Sequence, residues 1–319
     1  MKTLGTLNYY VYITTNKNKA VLYTGVTNSY LFPLLLPKLK ILNIRSILRG
    51  YYYNFTANSI KTEKFVLMGK PLVVTKGTCR TKMDMDDAWM FALMKNHKTI
   101  YDIGANSGFT GLLGGLSGVN KTMVLIDPNA SALTMCASNL IKNNLSTNKM
   151  FITSFVGEKS GDKIKFYTVG AAPAGSMFKD HITSASAIDS YILVDTLTVD
   201  DIIKQTNIVP DFVKIDVEGA ESYVMNGAGD LAAKQQTKFF IEMHKTESIS
   251  MKENTQLMLD WAKKYNYSVY YLPTHSLVED SDLFSGRGKC HILLIPANQS
   301  YPEYLRSIKQ YDPLPESID

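Results

Sequence analysis

The sequence predicts an α/β fold: a doubly wound, mostly parallel sheet with an antiparallel edge, preceded by a small N-terminal β-hairpin. Three features point there. Residues 99–103 form an apolar, β-branched and aromatic strand, and Gly104-Ala105-Asn106-Ser107-Gly108 follows as a tight turn before a helix opens at Phe109. Strand, glycine turn and helix make the first unit of a nucleotide-binding sheet. Residues 122–126 form a second apolar run, ending in Asp127-Pro128-Asn129. Residues 212–217 and 238–244 form two more, each with charged side chains two apart on one face near its C-terminal end, where open α/β sheets bind ligands.

The 319 residues accommodate one large α/β domain or two smaller ones, and a composition 45% hydrophobic and 20% charged is that of an ordinary globular chain. A net charge of +5 is too mild to mark a nucleic-acid binder by itself. Cys79, Cys136 and Cys290 are far apart and odd in number, which argues against a metal-ligand spacing or a disulfide framework and suits a reducing cytoplasm. No apolar run reaches the ~18 residues of a membrane-spanning helix. Met1-Lys2 leads into a mixed aromatic stretch rather than the apolar core of a signal peptide.

In chain order, residues 1–30 read as a hairpin: 8–13 alternate, 15–19 make a polar turn, and 21–28 return. This stretch resembles the opening of a GIY-YIG nuclease domain, with its signature tripeptides at Val11-Tyr12-Ile13 and Tyr23-Thr24-Gly25. The resemblance stops near residue 28, before any arginine-bearing helix or metal-binding glutamate, and implies a truncated remnant. Residues 31–98 read as an N-terminal extension. Lys38, Lys40, Arg45 and Arg49 among Leu and Ile predict an amphipathic helix from Leu39, expected to pack on the main body rather than on an anionic membrane. Residues 65–74 read as paired strands broken at Gly69-Lys70-Pro71, and 84–96 as a helix.

Residues 99–297 read as the main domain. A helix over 129–143 precedes a strand over 150–156 that ends at Gly157-Glu158. Residues 157–190 read as an insertion, with a strand at 163–169 and a small-residue loop suited to a lid or substrate wall. A helix over 255–264 and strands over 268–272 and 291–295 finish the sheet, and residues 298–319 read as a surface tail.

The glycine turn narrows the ligand. A dinucleotide fingerprint needs glycines where this chain has Asn106 and Phe109, so NAD and FAD are disfavoured. A G-x-N-x-G turn offers amides to a smaller anion, such as an amino-acid carboxylate. Asp127, about 25 residues past Asp102 and at the edge of the next strand, sits where a ribose is gripped; otherwise it caps the following helix. Nucleoside plus carboxylate without phosphate describes S-adenosylmethionine. In the segment from Val209 to Glu221, Lys214 and Asp216 face one side of a strand and need a partner or a function there.

Taken together, Asp102–Gly108, Ile126-Asp127-Pro128, Asp195-Thr196-Leu197, Lys214–Glu221 and Ile241–His244 resemble the FkbM-type methyltransferases over roughly residues 60–297. The resemblance implies a class I, Rossmann-like, S-adenosylmethionine-dependent methyltransferase. Its implied acceptor is a hydroxyl on a sugar, glycan or other secondary metabolite. It implies cofactor contacts at Asp102, Gly104, Ala105, Asn106, Gly108, Asp127, Pro128 and Gly157. The family more often has Glu where this chain has Asp127, one methylene shorter.

Methyl transfer to a hydroxyl needs alignment and a base. His244, with its near-neutral ordinary pKa, is the first candidate base, then Asp216, with Glu242 and Glu218 at neighbouring strand ends. Asp216, Glu242 and His244 can hold a divalent ion if they converge, but no metal ligand is assigned. A nucleic-acid-modifying or -binding protein and a catalytically inactive scaffold are the competing readings. No basic stripe with interleaved aromatics lies near the glycine turn to favour the former.

Overall fold

The computed structural model describes residues 9–16, 19–26, 61–82, 84–118, 120–168, 175–177 and 190–318. Contacts divide the chain into two compact units, Met1–Arg49 and Gly50–Asp319. In the first, β1 (Tyr9–Asn16) and β2 (Lys19–Val26) pair antiparallel from Tyr9↔Val26 to Asn16↔Lys19, the expected hairpin. The expected helix over 31–50 and most of the small-residue loop after residue 168 lie outside the described residues.

The second unit opens with β3 (Thr62–Leu67) and β4 (Lys70–Thr75), an antiparallel pair turning through Met68 and Gly69, then α1 (Asp87–Lys95). Next come β5 (Thr99–Ile103), α2 (Phe109–Leu116), β6 (Thr122–Ile126), α3 (Ala130–Lys142) and β7 (Lys149–Ile152). Four short strands follow: β8 (Phe155–Val156), β9 (Lys163–Thr168), β10 (Gly175–Ser176) and β11 (Tyr191–Leu197). The chain continues through α4 (Val199–Thr206), β12 (Phe212–Ile215), α5 (Glu221–Asn226), α6 (Gly229–Ala232) and β13 (Lys238–His244). It closes with α7 (Met251–Tyr265), β14 (Tyr267–Tyr271), β15 (Ser276–Leu277) and β16 (Lys289–Pro296).

The main sheet has eight strands in the order β15-β14-β16-β13-β12-β5-β6-β7. β13, β12, β5, β6 and β7 run parallel, while β16 lies antiparallel between β13 and β14. Both faces are covered, so its central strands are nearly continuous apolar runs. Alternate residues serve opposite cores: Tyr101, Val124, Val213 and Phe239 one, Ile100, Leu125, Phe212 and Phe240 the other. Some helix starts carry side-chain caps. Asn129 accepts from the amides of Ser131 and Ala132, and Ser250 with Glu253 closes a capping box on α7.

Two expectations are corrected. The strand over 150–156 is two strands in different sheets: β7 borders β6, and β8 pairs parallel with β11. The break falls at Thr153-Ser154, where the Ser154 hydroxyl donates to the Asp195 carbonyl on β11 and turns the chain. Residues 298–319 are not a surface tail. Tyr301, Leu305 and Leu314 are buried in the same core as Trp89, whose indole N–H donates to the Ile308 carbonyl. Burying each such leucine contributes about 2 kcal/mol toward holding the segment down.

Candidate active site

The C-terminal ends of β5, β6 and β12 meet at one cleft of about 670 Å³, counting its open mouth. Ile103, Gly104 and Asn106 line it from β5 and its turn, Ile126, Asp127 and Pro128 from β6, and Asp216, Val217 and Glu218 from β12. Asn129 and Ala132 add the start of α3, and Ser154, Phe155, Val156 and Phe166 form a wall from the small sheet. Gly104 is required at its place. It has φ +86°, and a Cβ there would stand 1.9 Å from the Asp216 carbonyl oxygen.

The turn's amides do not form the open cradle expected for a carboxylate. Gly104 and Ala105 N–H both donate to the Ile126 carbonyl, at 2.9 and 3.0 Å. Asn106 N–H donates to Asp127 Oδ2, Ser107 N–H to Asn106 Oδ1 and Gly108 N–H to the Ala105 carbonyl. β5 and β6 are parallel neighbours, so the first amides past β5 find the last carbonyl of β6 before any ligand.

Asp127 joins the two turns. Oδ2 takes the Asn106 amide and Oδ1 the Asn129 amide, each at 2.8 Å. Burial pushes its carboxyl up to about 6, against the pull of those two amides. Each oxygen keeps a further lone pair that can accept a hydroxyl.

At the opposite end the groups are charged side chains. Lys214, buried at the end of β12, stands 3.2 Å from Asp102 Oδ1 and 3.6 Å from Asp216 Oδ2, and donates to the Gly104 carbonyl. Burial disfavours its ammonium, but Asp102 and Asp216 outweigh this and raise its pKa. Thr110 donates to the other Asp102 oxygen. Asp216 is pushed up to about 6 by desolvation, opposed by Lys214 and aided by Glu242.

Glu218 holds a left-handed φ of +53°, just before Gly219. The Ser176 hydroxyl donates to the Glu218 carbonyl, tying the small sheet to this turn.

His244 sits among carboxylates. Its Nδ1 is 3.0 Å from Glu221 Oε1, and its Nε2 is 3.7 Å from Glu218 Oε2 and 3.5 Å from Glu242 Oε1. Burial works against its charge, yet the bond to Glu221 and the neighbouring Glu242 and Glu218 carry its pKa to about 11. An imidazolium has no lone pair for a proton, and in that form His244 faces Glu218 and Glu242 as a cation. Glu242 is held below the ordinary carboxylate range: burial opposes this, but the neighbouring His244 and His291 prevail.

Of the residues singled out in the sequence, the structure brings Gly104, Asn106, Asp127, Pro128, Asp216 and Glu218 to the cleft wall. Asp102 and Ala105 are buried beneath it, and Gly108 begins α2 against Cys136. Gly157 follows Val156 of the wall, its amide donating to the Leu197 carbonyl and its own carbonyl against Gly227. Glu242 and His244 adjoin the acidic end through Glu218. Sequence reasoning missed Ser154, Phe155 and Phe166, whose approach depends on the strand break at Thr153-Ser154. Among the described residues, two groups place His and carboxylate ligand atoms within 4.8 Å of one another: Asp216, Glu218 and His244, and Asp86, Glu242 and His291.

Comparison with known families matches residues 102–269, just over half of the chain, to the methyltransferase FkbM domain. The chain therefore belongs to the FkbM methyltransferase family. Among solved structures it is similar to methyltransferase FkbM from Methylobacillus flagellatus KT (17% identity, TM-score 0.38), over 82% of this chain and 57% of that one. This chain thus spans little more than half the length of the Methylobacillus protein. A SAM-dependent methyltransferase from Agrobacterium tumefaciens matches at 8% identity and TM-score 0.42, over 73% of this chain and 69% of that one. M. jannaschii TYW2, solved in complex with AdoMet, matches at 12% identity and TM-score 0.38, over 74% and 85%. No curated protein sequence matches significantly. Among the described residues no helix is long and apolar enough to cross a membrane.

Proposed function

We propose that the chain is an S-adenosylmethionine-dependent methyltransferase that O-methylates a hydroxyl of a small sugar, glycan or secondary metabolite. The observation that carries this reading is that the Gly104 turn, Asp127 and the Asp216–Glu218 turn open onto one cleft. The residues present fit the cofactor. Phe155, Val156 and Phe166 offer a purine an apolar wall, and Asp127 offers a ribose its acceptors. Asp216 and Glu218 set negative charge where a sulfonium and an ammonium are favoured.

When bound, the cofactor supplies a methyl group on a cationic sulfur. Asp216 takes the acceptor hydroxyl's proton. A carboxyl pushed to about 6 is mostly ionised at neutral pH and keeps more basicity than an ordinary aspartate. Lys214 fixes that carboxylate against the Gly104 turn, and His244 holds Glu218 beside it. The free, buried cysteines suit a reducing, cytoplasmic setting.

Calorimetric titration with S-adenosylmethionine, followed by tritium transfer from its methyl group to hydroxylated acceptors, tests the reading. One-to-one binding and label recovered in a sugar or metabolite ether are expected. An absence of binding by the folded chain overturns it in favour of an inactive scaffold, and label recovered in nucleic acid overturns the acceptor class.

A further inference from the structure

We propose that Asp86, Glu242 and His291 form a binding site for one first-row divalent transition-metal ion, of the Zn²⁺ or Mn²⁺ kind. The three come from separate elements: Asp86 precedes α1, Glu242 is on β13 and His291 faces it on β16. Their ligand atoms all lie within 4.8 Å of one another.

Two further observations single this group out. His291 is 1% exposed, and its buried Nε2 has no hydrogen-bond partner among the described residues. That nitrogen points between two carboxylates, 3.5 Å from Glu242 Oε2 and 3.7 Å from Asp86 Oδ2. A charge-assisted N–H···O bond closes to ~2.7–2.9 Å, so neither distance is one. Ligand atoms ~2.0–2.2 Å from a tetrahedral ion stand ~3.3–3.6 Å from each other, close to the 3.5 and 3.7 Å that separate His291 Nε2 from the two carboxylates.

Asp86 also occupies the N-cap position of α1 without using its carboxylate to cap the helix. The ring of His291 is fixed by stacking on Phe240, with centroids 5.7 Å apart. Glu242 is bidirectional: Oε1 accepts from Lys289, and Oε2 faces the site. One imidazole with two carboxylates is a donor set for first-row ions rather than for calcium or magnesium, which take oxygen alone. Two anionic ligands balance the ion's charge, and three protein ligands leave a further position for water.

The test is titration of chelator-treated full-length protein with Co²⁺, read by its visible absorption, with Zn²⁺ stabilisation read by thermal denaturation. One equivalent is expected to bind, and Zn²⁺ to raise the melting temperature. Asp86→Asn, which removes no capping bond, is expected to weaken Co²⁺ binding at least about tenfold, and His291→Ala to abolish it. Glu218→Gln, in the neighbouring acidic group, is expected to leave it unchanged. Binding that survives Asp86→Asn undiminished, or that is lost in Glu218→Gln instead, overturns the assignment, as does an absence of Co²⁺ binding by the folded wild type. In that last case the group is an ion pair alone.

Discussion

The two ends of the cleft are built differently. At the Asp127 end the structure is backbone: consecutive amides donate to the Ile126 carbonyl and to the Asp127 carboxylate, with all partners in two adjacent turns. At the Asp216 end it is ionised side chains from β5, β12, the turn after β12, α5 and β13, held by Lys214 and His244. The first end is geometrically fixed, because Asp127 is held by two amides that tolerate little displacement. The second fixes what charge a ligand meets, because each carboxylate answers to its neighbours.

Three substitutions probe that contrast. Gly104→Ala touches both ends, since its methyl would collide with the Asp216 carbonyl at a left-handed φ. A loss of about 3 kcal/mol or more is expected, seen as a lower melting temperature and loss of S-adenosylmethionine binding. Unchanged binding would show the ends to be independent.

Asp216→Asn addresses the ionic end alone. A drop in kcat of about a thousandfold is expected, larger than any rise in the cofactor's Kd. With Asp216 present, protonation removes the base, so kcat/KM should fall as pH drops through about 6 and level off above it. The variant should lack that limb, and a limb that persists points to another group.

Asp127→Asn addresses the backbone end. An amide presents one acceptor where the carboxylate presents two, leaving the Asn106 or Asn129 amide without its partner. About 1–2 kcal/mol is expected, appearing as a roughly tenfold weaker Kd with kcat nearly kept. An equal loss in kcat would erase the division of labour.

The same contrast explains what the sequence made legible. Thr99–Ile103, Thr122–Ile126 and Lys238–His244 appear at the residues their patterns indicate, because each is an apolar run bounded by a turn or charge. The Gly104 turn was legible as a turn, but not that its amides would be spent on β6, which depends on which strand lies alongside. His244 was visible as a titratable strand end, but its charge depends on Glu218 and Glu221 arriving from another element. Asp86 and His291 were invisible as a pair, because 205 positions separate them and no local pattern marks either one. The terminal segment misled for the opposite reason: Pro302, Pro313 and Pro315 read as a loop, which it is, yet its scattered Tyr301, Leu305 and Leu314 have a core to enter.

β16 separates two strands that precede it in the chain. A nascent chain leaves the ribosome with β14 and β15 complete before β16, the strand that joins β14 to the main sheet, has been made. The parallel strands can assemble first, and β13 keeps an open border until residues 289–296 slide in beside it. Translation that stalls before that point would release a protein with two unsatisfied strand edges and without His291. Such fragments should be prone to aggregate.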